Sequence, residues 1–199
     1  VRYSAQVFFY EASLDTLIAK ISTTLKELRA QRGWSLDVTS QKTGVSKAML
    51  GQIERRESSP TIATLWKIAS GFDVSFSSFV EDVDRYQPGI MHRKTELQQL
   101  HKQDDKINVM TIFPFDENLG FEVFIIELLP GCTHLSPPHQ KGVIEHVIPV
   151  VGSIEVLIHE EWHKVNQHEG LRFDASLPHG YRNLADRAVL FHDMIHYTK

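Results

Sequence analysis

Up to about residue 80 the apolar positions of this chain recur at helical spacing. From residue 106 they become short apolar runs broken by turn residues. The spacing over 14–32 predicts a first helix, longer than usual if LDTLIAKI belongs to it. The stretch SLDVTSQKTGVSKAMLGQIERRESSP then predicts two short helices around a tight TGVS turn. Ser35 and Ser46 stand where a side-chain oxygen caps each helix, and Gly44 stands where the chain needs a positive φ to turn. In the second of these helices Val45, Leu50 and Ile53 fall on one face, which leaves Lys47, Ala48, Met49, Gln52 and Arg55 on another. Residues 61–71, after Pro60, predict a fourth helix and 75–80 a fifth.

Polar texture and a Pro-Gly pair mark 81–105 as linker, with a short helix expected around 95–100. Beyond it, INVMTIF, FEVFIIELL, GVIEHVIPVV, SIEVLIH, GLRFD, YRNL and RAVLFHDMIHY read as strands, punctuated at Gly120, Pro130-Gly131, Gly152-Ser153 and Gly170. Regularly spaced strands with few helical signals predict a sandwich or barrel with its own core. The expected division is therefore a helical domain over 14–80, a linker over 81–105 and an all-β domain over 106–199.

Charge sharpens this division. The formal net charge is −4, but residues 14–80 hold nine Lys or Arg against six Asp or Glu, so that half carries +3 and the remainder −7. The modest basic excess marks the helical half as the one suited to a polyanion such as DNA, with phosphate affinity expected to rest on placed contacts and dimerisation. The single cysteine, Cys132, excludes an intramolecular disulfide. No apolar run is long enough to span a bilayer, and VRYSAQVFFYEASLD lacks the basic-then-apolar order of an export signal, so a cytoplasmic protein is expected. Residues 1–13 read either as an extra arm against a partner subunit or as a consequence of start-codon choice.

The string GVSKAMLGQIERRESSPT, with TLKELRAQRGWS before it and PTIATLWKIASGFDVSFSSFV after it, resembles the repressor-type five-helix reader of the XRE family. The resemblance implies that 46–55 is the recognition helix. Lys47, Ala48, Met49 and Gln52 would then lie nearest the base edges, with Ser35, Ser46, Arg55 and Arg56 on phosphates. Thr39 and Ser40 stand where that family usually has Leu-Ala; both are small enough to pack, with a less tightly held helix expected.

All eleven histidines lie between His92 and His196, outside the reader. Among them, His139, Lys141, Glu145 and Gly152 keep the intervals of the first cupin motif, with Lys141 in place of its second histidine. Gly170, His179 and Asn183 are similar to the second motif, its Pro-x-Gly turn reduced to SLP. The resemblance implies an α+β multidomain chain: an all-α helix-turn-helix domain followed by an all-β cupin barrel, or double-stranded β-helix.

Two readings of the barrel follow from the missing ligand. Either His139, Glu145 and His179 hold a divalent ion such as zinc or iron with an open position, or the pocket binds its ligand directly. Lys141, Tyr181 and His192 are the expected ligand contacts, Lys141 suiting an anion. His134 is a candidate substitute ligand, and alternation turns His146 away from Glu145. His159, His163 and His168 are expected around a solvated turn.

Reader and barrel together resemble the XRE-cupin transcription regulators. This implies a homodimer on a palindromic operator, its DNA affinity set by a small-molecule effector, with no catalytic residues. GVSKAMLGQIE, ATLWKIA and KGVIEH resemble a branch linked to sulfur-compound use, which favours an amino acid or sulfur metabolite, with polyamines also considered. A metal-dependent cupin enzyme, a dioxygenase or isomerase fused to the reader, is the alternative, and Lys141 in a ligand's place counts against it.

Overall fold

The computed structural model describes residues 3–81 and 106–197, with side chains described from Asp15 onward in the first helix. Five helices come first: α1 (Tyr3–Gln31), α2 (Leu36–Thr43), α3 (Lys47–Glu54), α4 (Ile62–Phe72) and α5 (Ser77–Val80). The first helix begins at Tyr3, so residues that read as a separate arm continue the helix expected from residue 14. The expected linker helix around 95–100 lies outside the described residues.

Capping explains where the short helices begin. Ser35 accepts the Val38 amide, Ser46 the Met49 amide and Thr61 the Thr64 amide, each satisfying a donor that the first turn leaves open. Gly44 ends α2 at φ 66, the left-handed turn that separates the two reader helices. Ile21, Leu25, Val45, Leu50, Ile53, Leu65, Ile68 and Phe72 are buried in the reader's core. Arg29 clamps Glu54 of α3 through two guanidinium nitrogens at 2.6 and 3.0 Å, while Ser22 donates to the Glu54 carbonyl. Thr39 is fully buried, and its hydroxyl donates to the Ser35 carbonyl, so the family's apolar contact is replaced by a satisfied polar one.

The β half has nine strands: β1 (Ile107–Asp116), β2 (Phe121–Leu128), β3 (Thr133–Ser136), β4 (Val143–Val151), β5 (Ile154–Ile158), β6 (Glu161–Val165), β7 (Leu171–Asp174), β8 (His179–Arg182) and β9 (Val189–Tyr197). They form a five-stranded sheet, β1-β2-β9-β4-β7, and a four-stranded sheet, β3-β8-β5-β6, with antiparallel pairing throughout. Strict alternation along β2, β4 and β9 places Phe124, Ile126, Val147, Phe191 and Ile195 in the barrel core. Strands β3 and β6 were not expected from the pattern. The latter is almost wholly exposed, and it carries His163 in register with Val156 instead of leaving that histidine in a turn.

Reader and barrel meet through specific contacts. The Ser77 amide, at the start of α5, donates to the buried Glu122 carboxylate of β2, and the Ser77 hydroxyl accepts the Phe115 amide of β1. Tyr197 of β9 donates its hydroxyl to the other Glu122 oxygen. Burial is the main influence on Glu122 and raises its pKa, and these hydrogen bonds oppose that rise. Among the described residues no helix is long and apolar enough to cross a membrane.

Candidate DNA reader and buried donor cluster

The outward face of α3 agrees with the sequence pattern. Lys47, Ala48, Met49 and Gln52 are exposed, whereas Leu50, Gly51, Ile53 and Glu54 are buried. Ser35 and Ser46 lie exposed at the N-caps of α2 and α3, Arg55 at the C-cap of α3 and Arg56 in the loop after it. Two of the cations are neutralised in the free protein: Lys47 pairs with Asp37 at 2.7 Å and Arg55 with Glu57 at 2.7 Å. Arg56 adopts φ 61, a left-handed conformation that costs a side-chain-bearing residue energy and directs it out of the helix path.

Inside the barrel, His139, Glu145 and His179 are brought together as the motifs implied, their donor atoms all within 4.8 Å of one another. The pleat of β4 turns Glu145 inward between Val143 and Val147, and β8 turns in His179 and Tyr181. His139 precedes β4 and is pinned by its amide donating to the Ala175 carbonyl. Glu145 Oε1 lies 2.8 Å from His139 Nε2 and 3.4 Å from His179 Nε2, while Oε2 accepts the Tyr181 hydroxyl. His179 donates Nδ1–H to the Leu177 carbonyl at 2.9 Å, which leaves Nε2 buried, facing the cluster and without a hydrogen bond of its own.

The electrostatics of this cluster run against burial. Desolvation alone would raise the Glu145 pKa, but the neighbouring His179 and His139 hold it well below the ordinary carboxylate range. For His179, burial pulls downward and the charge of the nearby Glu145 outweighs it, so its pKa is raised. For His134, burial, followed by the proximity of His179, lowers the pKa to about 4, which keeps this imidazole neutral; the Glu145 charge also pulls upward but does not prevail. Tyr181 is driven well upward by burial and by Glu145, so its phenol stays a donor.

The donor set fits a divalent ion. A carboxylate with two imidazoles is a mixed N/O set suited to zinc or iron, and the Leu177 carbonyl holds the His179 ring with Nε2 turned to the cluster, the nitrogen that would coordinate once deprotonated.

Two expected contacts are corrected. Lys141 is exposed in the turn before β4 and does not enter the position of the missing histidine. His192 alternates with the buried Phe191 and Asp193, so the pleat of β9 sends it to the outer face with His196. Asp193 is the inward residue that the sequence reading missed. It is 2 % exposed, its Oδ1 lacks a partner, and burial beside Glu145 and Glu122 drives its pKa well upward. The other omission is Trp66 of α4, whose ring lies 5.0 Å from that of His139 and 6.0 Å from that of Phe124. Hydrophobic periodicity marks Trp66 only as a buried helix position, with no sign that it reaches a second domain.

A crevice of about 310 Å³ opens between the two halves beside Gln140, lined also by Asp73, Glu81, Glu117, Phe115 and Tyr197. Among the described residues its charged lining side chains are Asp73, Glu81 and Glu117.

A capped helix pair presenting a polar face, joined to an antiparallel barrel enclosing a His/Glu cluster, defines a DNA-binding transcriptional regulator with a cupin domain. Residues 25–79 match the helix-turn-helix family model HTH_3. The chain belongs to the XRE family of HTH-type transcriptional regulators, being 45 % identical over 186 residues to SutR of Escherichia coli (strain K12), a match covering 94 % of this chain and 99 % of that protein. A crystal structure of an HTH_3 family transcriptional regulator from Vibrio cholerae is 42 % identical, covers 94 % of this chain and 99 % of its own, and superposes with a TM-score of 0.80. The cupin domain of an XRE family regulator from Enterobacter cloacae is 43 % identical over 48 % of this chain and all of its own, with a TM-score of 0.47.

Proposed function

We propose that this regulator is a homodimer whose barrel senses a small metabolite through a divalent ion held by His139, Glu145 and His179. The observation that carries the reading is His179 Nε2, a buried ring nitrogen turned toward Glu145 with no hydrogen bond among the described residues. When bound, the ion would supply a Lewis-acidic coordination position, while Tyr181 orients Glu145 by donating to its second oxygen. Metal and proton compete for the same lone pairs, so loading releases protons and weakens as pH falls. The favoured effector is an amino acid or sulfur metabolite. Lys141, exposed before β4, gives no support for an anionic effector.

On DNA, Lys47, Ala48, Met49 and Gln52 would read base edges in the major groove, and Ser35, Ser46, Arg55 and Arg56 would hold phosphates. A twofold-symmetric dimer matches a palindromic operator with half-sites about 34 Å apart. Exchanging Lys47 from Asp37 and Arg55 from Glu57 onto phosphates costs little, because exposed ion pairs are weak.

The test is a thermal-shift panel of amino acids, polyamines and sulfur compounds on chelated and on zinc- or iron-loaded protein, with metal content measured directly. His139→Ala and His179→Ala should each abolish metal uptake and effector response while leaving duplex DNA binding in place. Metal uptake unchanged in both variants refutes the site. Recovery of the effector chemically altered would instead make the barrel an enzyme.

A further inference from the structure

Trp66 belongs to the reader by sequence and to the barrel by contact. It is 6 % exposed, stacks on Phe76 at 4.5 Å, meets Phe124 edge-on, and lies against the His139 ring. His139 in turn touches Glu145 at 2.8 Å. An indole on α4 therefore rests directly on one member of the donor cluster.

The same helix touches the reader's turn at its other end. Residues 66 and 71 are separated by roughly one and a half turns, or about 7.5 Å of a rigid helix. Gly71 abuts the end of α2 so closely that a Cβ there would lie 2.7 Å from Thr43 Cα. Thr43 Oγ1 accepts the Val45 amide, which fixes the turn immediately before the recognition helix. His139, Trp66, α4, Gly71, Thr43 and Val45 thus form an unbroken series of contacts.

We infer that Trp66 is the coupling residue of this regulator: occupancy of the His139/Glu145/His179 cluster shifts the His139 ring, the indole follows, and α4 transmits the shift through Gly71 to the Thr43–Val45 turn. This rests on the metal reading above for its trigger, but the contact path is independent of which species fills the cluster. Trp66 offers no ligand atom, so its role is positional. Coupling is reciprocal, and DNA engagement of α3 must alter affinity at the cluster by the same factor.

The experiment uses the full chain and zinc alone as probe, reading zinc stoichiometry by equilibrium dialysis and amide hydrogen exchange over residues 43–50. In the wild type, zinc should change exchange in this segment by about fivefold or more, the lower end of ordinary coupling. Trp66→Phe should keep zinc uptake and lose the exchange response. As a second measurement that retains the indole, a W34F/W162F protein should shift its Trp66 emission on zinc addition. The coupling is overturned if Trp66→Phe keeps the wild-type exchange response, or if zinc binds with no change in exchange or emission. Should the wild type take up no zinc, the metal reading fails and the coupling is decided by His139→Ala. An effect on exchange over 43–50 in the wild-type background but not with W66F supports it, and equal or absent effects in both overturn it.

Discussion

Gly71→Ala separates two effects of opposite sign. Gly71 lies within α4, where replacing glycine by alanine ordinarily stabilises by about 1 kcal/mol. Here the added Cβ would sit 2.7 Å from both Cα and Cγ2 of Thr43 and 2.8 Å from the Lys42 carbonyl oxygen. Two of those three atoms are backbone, so no rotamer change relieves the overlap and α2 must move away from α4. Overpacking of this kind costs about 1–3 kcal/mol, so the net expectation is a destabilisation of about 1 kcal/mol. All the described helices lie in the reader, so urea unfolding followed by far-ultraviolet circular dichroism at the helical band reports this domain. Operator affinity should fall as well, because Thr43 holds the Val45 amide before the recognition helix. Adding Thr43→Ser removes only the Cγ2 overlap and should restore part of the loss. A Gly71→Ala protein stabilised by about 1 kcal/mol, as helix propensity alone dictates, would refute the close α2–α4 contact.

Four further outcomes follow from the geometry. Gln52→Ala should relax base preference, whereas Arg56→Ala should weaken binding to every sequence and lower the salt slope by about one, measured by fluorescence anisotropy across a salt series. Arg56→Gly should lose the same affinity yet gain about 1 kcal/mol of stability, since φ 61 suits glycine. Ser46→Ala should cost about 1 kcal/mol of reader stability in the same urea assay by freeing the Met49 amide. His134 is held neutral, with a pKa of about 4 against 6.5 unfolded, so its contribution is full above pH 6.5 and is lost as pH falls toward 4. At about 1.4 kcal/mol per pH unit, that window caps the effect at about 3 kcal/mol. The raised pKa of His179 works in the opposite direction, and the difference between wild type and His134→Gln in calorimetry from pH 7 to 4 reports His134 together with its repulsion by His179.

The reader was legible almost residue by residue because its signals are local. Caps at Ser35 and Ser46, the left-handed Gly44 and the apolar stripe of Val45, Leu50 and Ile53 each depend on neighbours a few positions away. The barrel was legible as a set of strands and less so as a site. In β9, apolar residues occupy both faces: Val189, Phe191 and Ile195 point inward while Leu190 and Met194 point outward, so sequence alone does not fix the phase that separates His192 from Asp193. A one-residue error in phase exchanges the two faces completely, and this is how His192 was expected in the pocket and Asp193 was overlooked. His139, Glu145 and His179 escaped this ambiguity because the motif intervals tie them together directly. Strand β6 was hidden for another reason: only Val165 is buried, so most of its length carries no hydrophobic signal.

The interface between the halves has the opposite character. The residues that join them, Trp66, Ser77, Phe115, Glu122 and Tyr197, come from the fourth and fifth helices and from three different strands, and no local pattern distinguishes them from ordinary core residues. A carboxylate buried as fully as Glu122 is costly unless its hydrogen bonds are met. One is supplied by the reader, through the Ser77 amide, and one by the barrel, through Tyr197. Pulling reader and barrel apart would remove one donor from a buried acid and strip Trp66 of its aromatic contacts with Phe124 and His139. That dependence favours a small displacement of α4 over the barrel mouth as the regulatory motion, and it disfavours full separation of the two domains.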